Sequence, residues 1–353
     1  MPNSYLITGG AGFIGSHLTE ALLERGERVV VLDDLSTGRV ANLRRVAGHP
    51  RLEIVVGSVL DEFKVDELVH RCDVVVHLAA AVGVKLIVEE PLRSFTTNIR
   101  GSEIVVGAAH RYRSKILVAS TSEIYGKNGA EPLSESADRV LGATSVARWA
   151  YSTAKAVDEI LALTYHRERG LQSIVARLFN TVGPRQSPAY GMVIPRLVRQ
   201  ALAGESLTVY GDGGQSRCFC HVADVVGALV GLLDRDDAIG EVFNIGSSGE
   251  VTILDLAKRI VDRTGSSSAV TLVPYADAYA SGFEDMRRRV PDTTKIERFI
   301  GWSPRRTFDD ILDDAIADAR GESCADKEVS TVLDLAADEE PLAGVGSAAP
   351  PAL

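Results

Sequence analysis

Hydrophobic residues in the first half of the chain form short runs that alternate with longer amphipathic stretches. The runs are rich in Val, Ile and Leu, as strands buried on both faces are, and they lie at Ser4–Thr8, Arg28–Asp33, 51–57, 73–79, 115–120 and 172–178. Helical spacing of apolar residues lies at 13–25, 61–71, Pro91–Tyr112 and 147–169. This alternation predicts an α/β fold with a parallel, doubly wound sheet.

The pattern loosens after about residue 180. A helix at 192–203, a glycine-rich turn at 211–214, a strand at 241–245 and a helix at 252–264 predict a smaller α/β lobe. We expect a sheet domain over 1–179, with returning elements near 215–245, and the lobe mainly over 180–320. Residues 324–353 combine an acidic run with Pro, Gly, Ser and Ala, which predicts a disordered tail.

The composition narrows the class of protein. The chain has 353 residues, of which 45% are hydrophobic and 24% charged, and its net charge of -10 disfavours nucleic acid as the main partner. Its 4 cysteines lack metal-type spacing, so we expect reduced thiols and no metal. The first strand begins too early for a signal peptide, and no apolar run reaches the roughly 18 residues of a membrane helix. A cytoplasmic protein without a membrane partner is expected.

A glycine-rich turn follows the first strand and opens the first helix. Gly9, Gly12 and Gly15, with Phe13 and Ile14 between them, let a pyrophosphate approach the helix N-terminus, where free N–H groups favour anions. Asp33 ends the next strand, where a carboxylate accepts hydrogen bonds from a ribose diol and repels a 2′-phosphate. The sequence therefore predicts a Rossmann-type domain that binds NAD in preference to NADP.

Further cofactor contacts are expected where the third and fourth strands end. Carboxyl ends of parallel strands are the usual ligand edge of such sheets. The candidates there are Ser58, Val59, Leu78, Ala79 and Ala80, although the small alanines also suit close packing of helix on sheet.

Tyr151 and Lys155 stand four residues apart in a predicted helix, so they share one helix face. There the Lys155 ammonium can lower the pKa of the phenol and make it a usable base. Such a pair is common by chance, but behind a dinucleotide fingerprint it indicates a redox enzyme.

Together these motifs resemble the extended short-chain dehydrogenase/reductases of the nucleotide-sugar epimerase/dehydratase type. The resemblance spans about residues 4–320 and rests on the glycine turn, Asp33, Tyr151 with Lys155, and the segments 77–80, 98–101, 120–126, 177–180, 183–185 and 210–219. One departure is Ser58, which stands where the family has an Asp at the adenine.

The resemblance implies roles for individual residues. Tyr151 is the general base, Lys155 holds the nicotinamide ribose, and Thr121 hydrogen-bonds the sugar 4-OH. Asn98 supports the proton network near Lys155. Asn180 and Arg217 hold the diphosphate of the substrate, and Val209-Tyr210 lies beside its nucleotide base. The full set of expected substrate contacts is Val82, Asn180, Arg185, Val193, Val209, Tyr210, Arg217 and Arg289. A homodimer through Pro91–Tyr112 and 147–169 is also implied.

The first step in this family is oxidation at C4 of a UDP-sugar to a 4-keto sugar, and the sequence leaves the next step open. Ser122-Glu123 replaces the Asp-Glu pair of 4,6-dehydratases, which disfavours dehydration. The Ser-Glu pair with Arg289-Val290-Pro291 resembles UDP-glucuronate decarboxylases, although Arg287 and Arg288 compete for that place.

Segment 181–186 and Arg148-Trp149 resemble UDP-sugar 4-epimerases, in which Arg185 could pair with the C6 carboxylate. Arg185 could equally serve a phosphate or a carbonyl, and Glu123 could merely bond the backbone. The sequence favours NAD-dependent C4 epimerisation of UDP-glucuronate or UDP-glucose. Decarboxylation is the alternative, ahead of dehydration and of NAD binding without catalysis.

Overall fold

The computed structural model describes residues 2–82, 90–130, 132–146, 148–188, 192–274, 277 and 286–321. The tail predicted for 324–353 lies outside these residues. The strands are β1 (Ser4–Thr8), β2 (Arg28–Asp33), β3 (Leu52–Val56), β4 (Val74–His77), β5 (Lys115–Thr121), β6 (Ser173–Leu178), β7 (Thr181–Val182), β8 (Leu207–Tyr210), β9 (Ser216–Cys218), β10 (Cys220–His221), β11 (Val242–Ile245), β12 (Glu250–Thr252) and β13 (Val270–Val273).

The helices are α1 (Phe13–Glu24), α2 (Glu62–His70), α3 (Pro91–Tyr112), α4 (Arg148–Arg169), α5 (Val193–Leu202), α6 (Val222–Leu233), α7 (Ile253–Thr264), α8 (Thr294–Ile300) and α9 (Phe308–Ala319). Short 3₁₀ helices cover Val40–Val46, Ser122–Tyr125 and Asp236–Ala238. None of the helices in the described part of the chain is long and apolar enough to cross a membrane.

Within the described residues the main sheet has seven strands in the order β11-β6-β5-β4-β1-β2-β3. Every neighbouring pair in it is parallel. The strand order reverses between β1 and β4, which opens a crevice at their carboxyl ends. The predicted parallel, doubly wound α/β fold is confirmed.

Alternate residues of the strands point to opposite faces of the sheet, and both faces are buried. Ile7, Val29 and Val31 face α1 and α6 in one hydrophobic cluster. Leu6 and Val30 face α2, α3 and α4 in another. Because neither face meets water, polar side chains of the sheet concentrate at the strand ends, where the crevice lies.

A third hydrophobic cluster lies beyond the sheet, where α5, α7 and α9 pack around β8. Leu197, Val209, Leu256 and Leu312 are fully buried in it. This cluster supports the wall of the crevice that faces the sheet.

A buried ion pair fastens α4 to the sheet. Glu159 of α4 accepts two hydrogen bonds from Arg177 of β6, at 3.0 Å from Nε and 2.8 Å from Nη2. Arg177 also donates to the Tyr125 hydroxyl at 2.9 Å, and that hydroxyl donates to Asn244 of β11 at 2.7 Å. Helix α4, the turn after β5, and strands β6 and β11 are therefore held in one arrangement.

Candidate active site

A cavity of about 800 Å³ runs along the carboxyl edge of the sheet. Most of the residues predicted for the site line it. These are Gly9, Gly12, Phe13, Ile14, Gly15, Asp33, Val59, Leu78, Ala79, Ala80, Val82, Thr121, Ser122, Glu123, Tyr151, Lys155, Asn180, Arg185 and Arg289. The residues predicted for the site that do not line this cavity are Ser58, Asn98, Val193, Val209, Tyr210 and Arg217.

The glycine turn packs too closely for any side chain. Gly9 has φ +74°, and a Cβ there would lie 2.8 Å from the Ala79 nitrogen. A Cβ on Gly15 would clash with the Gly9 carbonyl oxygen, and the Gly12 N–H donates to that oxygen at 3.1 Å. The turn therefore leaves the N-terminus of α1 open toward the cavity, which suits a pyrophosphate.

Asp33 lies where β2 ends, with its carboxylate held by backbone groups. One oxygen accepts from Ala11 N–H and the other from Leu35 N–H, each at 2.9 Å. Burial raises the pKa of the carboxyl group, and these two N–H donors oppose the rise. The fixed carboxylate on the cavity wall fits a ribose diol, as the sequence predicts.

Tyr151 and Lys155 lie on α4, nearly buried, at the inner end of the cavity. Burial raises the pKa of the Tyr151 phenol, and the carboxylates of Glu123 and Asp158 raise it further. The Lys155 ammonium lies 2.8 Å from Asp158 Oδ2. In the protein without cofactor these surroundings favour the neutral phenol, and the role of Tyr151 as base stays a prediction.

Arg289 is brought to the turn after β5 from the far end of the chain. Its Nη1 lies 3.0 Å from Ser122 Oγ and 3.8 Å from Glu123 Oε1. Its side chain is 6% exposed, whereas that of Arg287 is 90% exposed, and Arg288 pairs with Glu250 at 2.6 Å. Among the three consecutive arginines, Arg289 is therefore the one that faces the cavity.

Arg185 is committed to α1. Its guanidinium contacts Glu20 Oε1 at 2.6 Å and Ser16 Oγ at 3.2 Å. Its backbone N–H donates to Asp318 at 2.9 Å. The predicted pairing of Arg185 with a C6 carboxylate has no support in this arrangement, because a glutamate already balances the guanidinium.

Three other residues predicted for the site form hydrogen bonds with backbone groups of the protein. Asn180 lines the cavity and donates to the Cys218 carbonyl at 2.9 Å. Arg217 donates to the Ser216 carbonyl at 2.8 Å. Asn98 accepts from Ala81 N–H at 2.8 Å and donates to Ala81 O at 3.2 Å, so it ties α3 to the segment after β4 and not directly to Lys155.

Three of the predicted substrate contacts lie outside the main sheet: Val193 in α5, and Val209 and Tyr210 in β8. Val209 is buried in the third hydrophobic cluster, and Val193 packs against that cluster. The ring of Tyr210 lies under the Arg196 guanidinium, 4.6 Å from its ring centroid. These side chains do not line the cavity, and their contacts with the substrate stay predictions.

The sequence analysis missed a buried polar group behind Lys155. Asp158, Ser102 and His77 are each at most 1% exposed. The available signal was Asp158 itself, an acid three residues after Lys155 and hence on the same helix face.

Comparison with known proteins identifies the family of the chain. Residues 6–315 match the GDP-mannose 4,6 dehydratase family, so the chain belongs to this family of extended short-chain dehydrogenase/reductases. It is 42% identical to the UDP-N-acetyl-alpha-D-glucosaminuronate decarboxylase of Bacillus cytotoxicus, over 90% of this chain and 97% of that protein. It is 37% identical to UDP-glucuronic acid decarboxylase 5 of Arabidopsis thaliana, over 85% and 84%.

Solved structures of the same fold include two epimerases. The UDP-glucose 4-epimerase of Thermotoga maritima, solved with UDP-glucose, is 33% identical, with a TM-score of 0.81 over 90% of this chain and 99% of that one. The UDP-glucose 4-epimerase of Thermus thermophilus, solved with NAD, is 28% identical, with a TM-score of 0.79 over 90% and 99%. The NAD prediction is confirmed by this likeness.

The prediction of C4 epimerisation is wrong on this comparison. The relatives reported at 42% and 37% identity are decarboxylases, whereas the epimerase structures are at 33% and 28%. The physical reason for the error is that the roles predicted for Tyr151, Lys155 and Thr121 belong to a first step that both reactions share. The chain is an enzyme of the NAD-dependent nucleotide-sugar family, and decarboxylation is the outcome that its relatives favour.

Replacing Gly15 with Ala tests the cofactor turn. Because the new Cβ would collide with the Gly9 carbonyl, we expect NAD affinity to fall at least about tenfold in calorimetric titration, equivalent to 1.4 kcal/mol. Gly107→Ala, in α3 with nothing within 4 Å of its Cβ position, is the matched control and should bind NAD normally. Unchanged affinity in Gly15→Ala would contradict the assignment of this turn.

Proposed function

We propose that the protein is an NAD-dependent UDP-hexuronate decarboxylase, which converts UDP-glucuronate or its 2-acetamido analogue to a UDP-pentose and CO₂. The observation that carries the proposal is the Ser122–Arg289 contact of 3.0 Å on the wall of the cavity that also holds Tyr151 and Lys155. The names of the relatives at 42% and 37% identity support it.

The two ligands divide the cavity. We assign NAD to the part built by residues 1–179, where the glycine turn and Asp33 fit its pyrophosphate and ribose. The nucleotide sugar is assigned to the part bounded by residues 180–320, which contributes Asn180, Met192 and Arg289 to the lining. The carboxyl ends of β4 and β5 would then bring the two ligands together, as in other doubly wound folds.

The first chemical step is oxidation at C4. Tyr151 takes the proton of the C4 hydroxyl, and Thr121 hydrogen-bonds the same oxygen. When bound, NAD⁺ supplies the acceptor for the C4 hydride, the later source of that hydride, and a positive charge that favours the phenolate. Thr121 Oγ1 accepts from Glu123 N–H at 3.2 Å, and this bond does not use the Thr121 proton, which can be donated to the sugar.

The second step is loss of CO₂ from the 4-keto uronate. This intermediate is a β-keto acid, so breaking the C5–C6 bond leaves an electron pair that spreads over C5 and the C4 oxygen. Arg289 and Ser122 are the groups that would bind the departing carboxylate and orient the breaking bond to the carbonyl. Glu123 balances the charge of Arg289 before substrate binds.

The last step restores a saturated sugar. A proton adds at C5, the hydride returns to C4, and Tyr151 gives its proton back to the C4 oxygen. The sum is the uptake of one proton and the release of one CO₂, with no net oxidation. Tyr151 must therefore act as base and acid in one cycle, which requires a phenol whose pKa is not too low.

We also propose that the protein works as a homodimer in the cytoplasm. Helices α3 and α4 pack side by side and expose Leu92, Phe95, Val157 and Ile160 on their outer faces. Cys72, Cys218 and Cys220 are buried free thiols, as is usual for a reducing compartment.

The dimer is tested with Ile160→Asp, which puts a charge into the apolar face. We expect the mass in solution to halve, as measured by light scattering after gel filtration. Phe63→Asp on α2, a position 91% exposed in this structure, is the control and should leave the mass unchanged. A wild-type protein that is already monomeric would refute the proposal.

The reaction is tested by NMR of the product from UDP-glucuronate and from UDP-N-acetylglucosaminuronate. We expect a UDP-pentose and CO₂ from at least one of them, and neither product with Tyr151→Phe. A product that keeps C6 with inverted C4 would refute decarboxylation. Absence of turnover with both substrates, although NAD is bound, would also refute it.

Arg289→Met tests the decarboxylating group. Removing the group that binds and orients the carboxylate should lower kcat/KM about 10²-fold, the order of loss that a misplaced reacting group causes, while NAD affinity stays the same. Arg288→Met removes a neighbouring arginine that pairs on the surface with Glu250 and should remain close to wild type. Equal rates in the two variants would exclude the role given to Arg289.

A further inference from the structure

Asp158 is a buried acid that the reaction steps above do not use. It lies on α4, three residues after Lys155, with 0% exposure. Its Oδ2 forms an ion pair with Lys155, at 2.8 Å from Nζ. A buried ion pair of this kind is costly unless the two charges are matched.

The groups behind Asp158 form a directed chain. Thr8 Oγ1 lies 2.8 Å from His77 Nδ1, and His77 Nε2 lies 3.0 Å from Ser102 Oγ. Burial and the nearby Lys155 lower the pKa of His77 to about 3, so the ring is neutral. We infer that Thr8 donates to Nδ1 and Nε2–H donates to Ser102, which leaves the Ser102 proton for Asp158.

This chain favours the ionised form of Asp158 and opposes the effect of its burial. Burial raises the pKa of Asp158, whereas Lys155 and Ser102 lower it and Glu159, on the same helix, raises it. The groups that face it are thus Lys155 and Glu159 on α4, Ser102 on α3, and the neutral His77 of β4 behind Ser102. Among the described residues that face Asp158, Lys155 is the one that carries a positive charge.

The effect of Asp158 reaches Tyr151. Both stand on α4 and flank Lys155, and the Asp158 carboxylate raises the pKa of the Tyr151 phenol together with burial and Glu123. A carboxylate 2.8 Å from the ammonium offsets most of the field that the ammonium would exert on the phenol.

We propose that Asp158 is a positioning residue that holds Lys155 and offsets its charge at Tyr151, so that the phenol becomes a base only when the positively charged cofactor is bound. The inference rests on the proposed function for the role of Tyr151 as base.

The test is titration of the Tyr151 phenol by ultraviolet difference absorbance, with Tyr151→Phe subtracted, in protein with and without NAD⁺. In wild type without NAD⁺ we expect no Tyr151 titration before alkaline unfolding, and with NAD⁺ a titration at lower pH. In Asp158→Asn the Lys155 charge is no longer offset, so the midpoint with NAD⁺ should fall by about one pH unit or more. The acid limb of kcat/KM should shift to lower pH with it.

Asp224→Asn is the matched control, because Asp224 is another buried acid, on α6, whose carboxylate accepts from Arg306 N–H at 3.0 Å. Its Tyr151 midpoint should equal that of wild type. If Asp158→Asn does not fold, Asp158→Ala tests the same loss of charge. An unchanged midpoint in a folded Asp158 variant overturns the proposal even if activity falls, because loss of activity alone would indicate a structural role. The titration needs no substrate, so it is independent of whether decarboxylation is the reaction.

Discussion

The site depends on one buried ion pair, the bidentate contact between Arg177 of β6 and Glu159 of α4. Such a pair contributes little net stability, because both charges lose their hydration. Its geometry, however, permits one placement of α4 on the sheet, since a slip would leave a charge buried without its partner. Tyr151 and Lys155 are carried on the same helix, about two turns and one turn before Glu159. Their position against the end of β5 is therefore fixed by an interaction outside the cavity.

The same arginine extends this constraint to the other side of the site. Arg177 donates to Tyr125 in the turn that carries Ser122 and Glu123, and Tyr125 donates to Asn244. Asn244 in turn donates to the Leu133 carbonyl at 2.9 Å, and Leu133 pairs with the segment that follows Arg289. Tyr151, Ser122 and Arg289 thus come from separate parts of the chain, and one network of polar contacts outside the cavity joins the segments that carry them.

The sequence predicted the parts of this structure that follow from local pattern. Apolar strands alternating with amphipathic helices required a doubly wound parallel sheet, and the glycine turn with Asp33 indicated NAD. The partners of long polar side chains could not be predicted in the same way. Arg185 has the charge for a carboxylate ligand, but the fold gives it Glu20, 165 residues away in the chain. The resemblance implies a contact of Val209 with the nucleotide base, yet the side chain of Val209 is buried in the third hydrophobic cluster.

The sequence analysis predicted the wrong reaction, C4 epimerisation, for a related reason. The roles predicted for Tyr151, Lys155 and Thr121 are the same whether the 4-keto sugar epimerises or loses CO₂, so these residues carry no information on that choice. On the proposed function, the two outcomes differ in which positively charged side chain binds the C6 carboxylate of the substrate. Arg185 is already neutralised by Glu20, whereas Arg289 stands beside Ser122 on the cavity wall. On the proposed reaction, a carboxylate anchored there is held against rotation of the 4-keto sugar. Epimerisation requires that rotation, because the second face of C4 must be presented for the returning hydride.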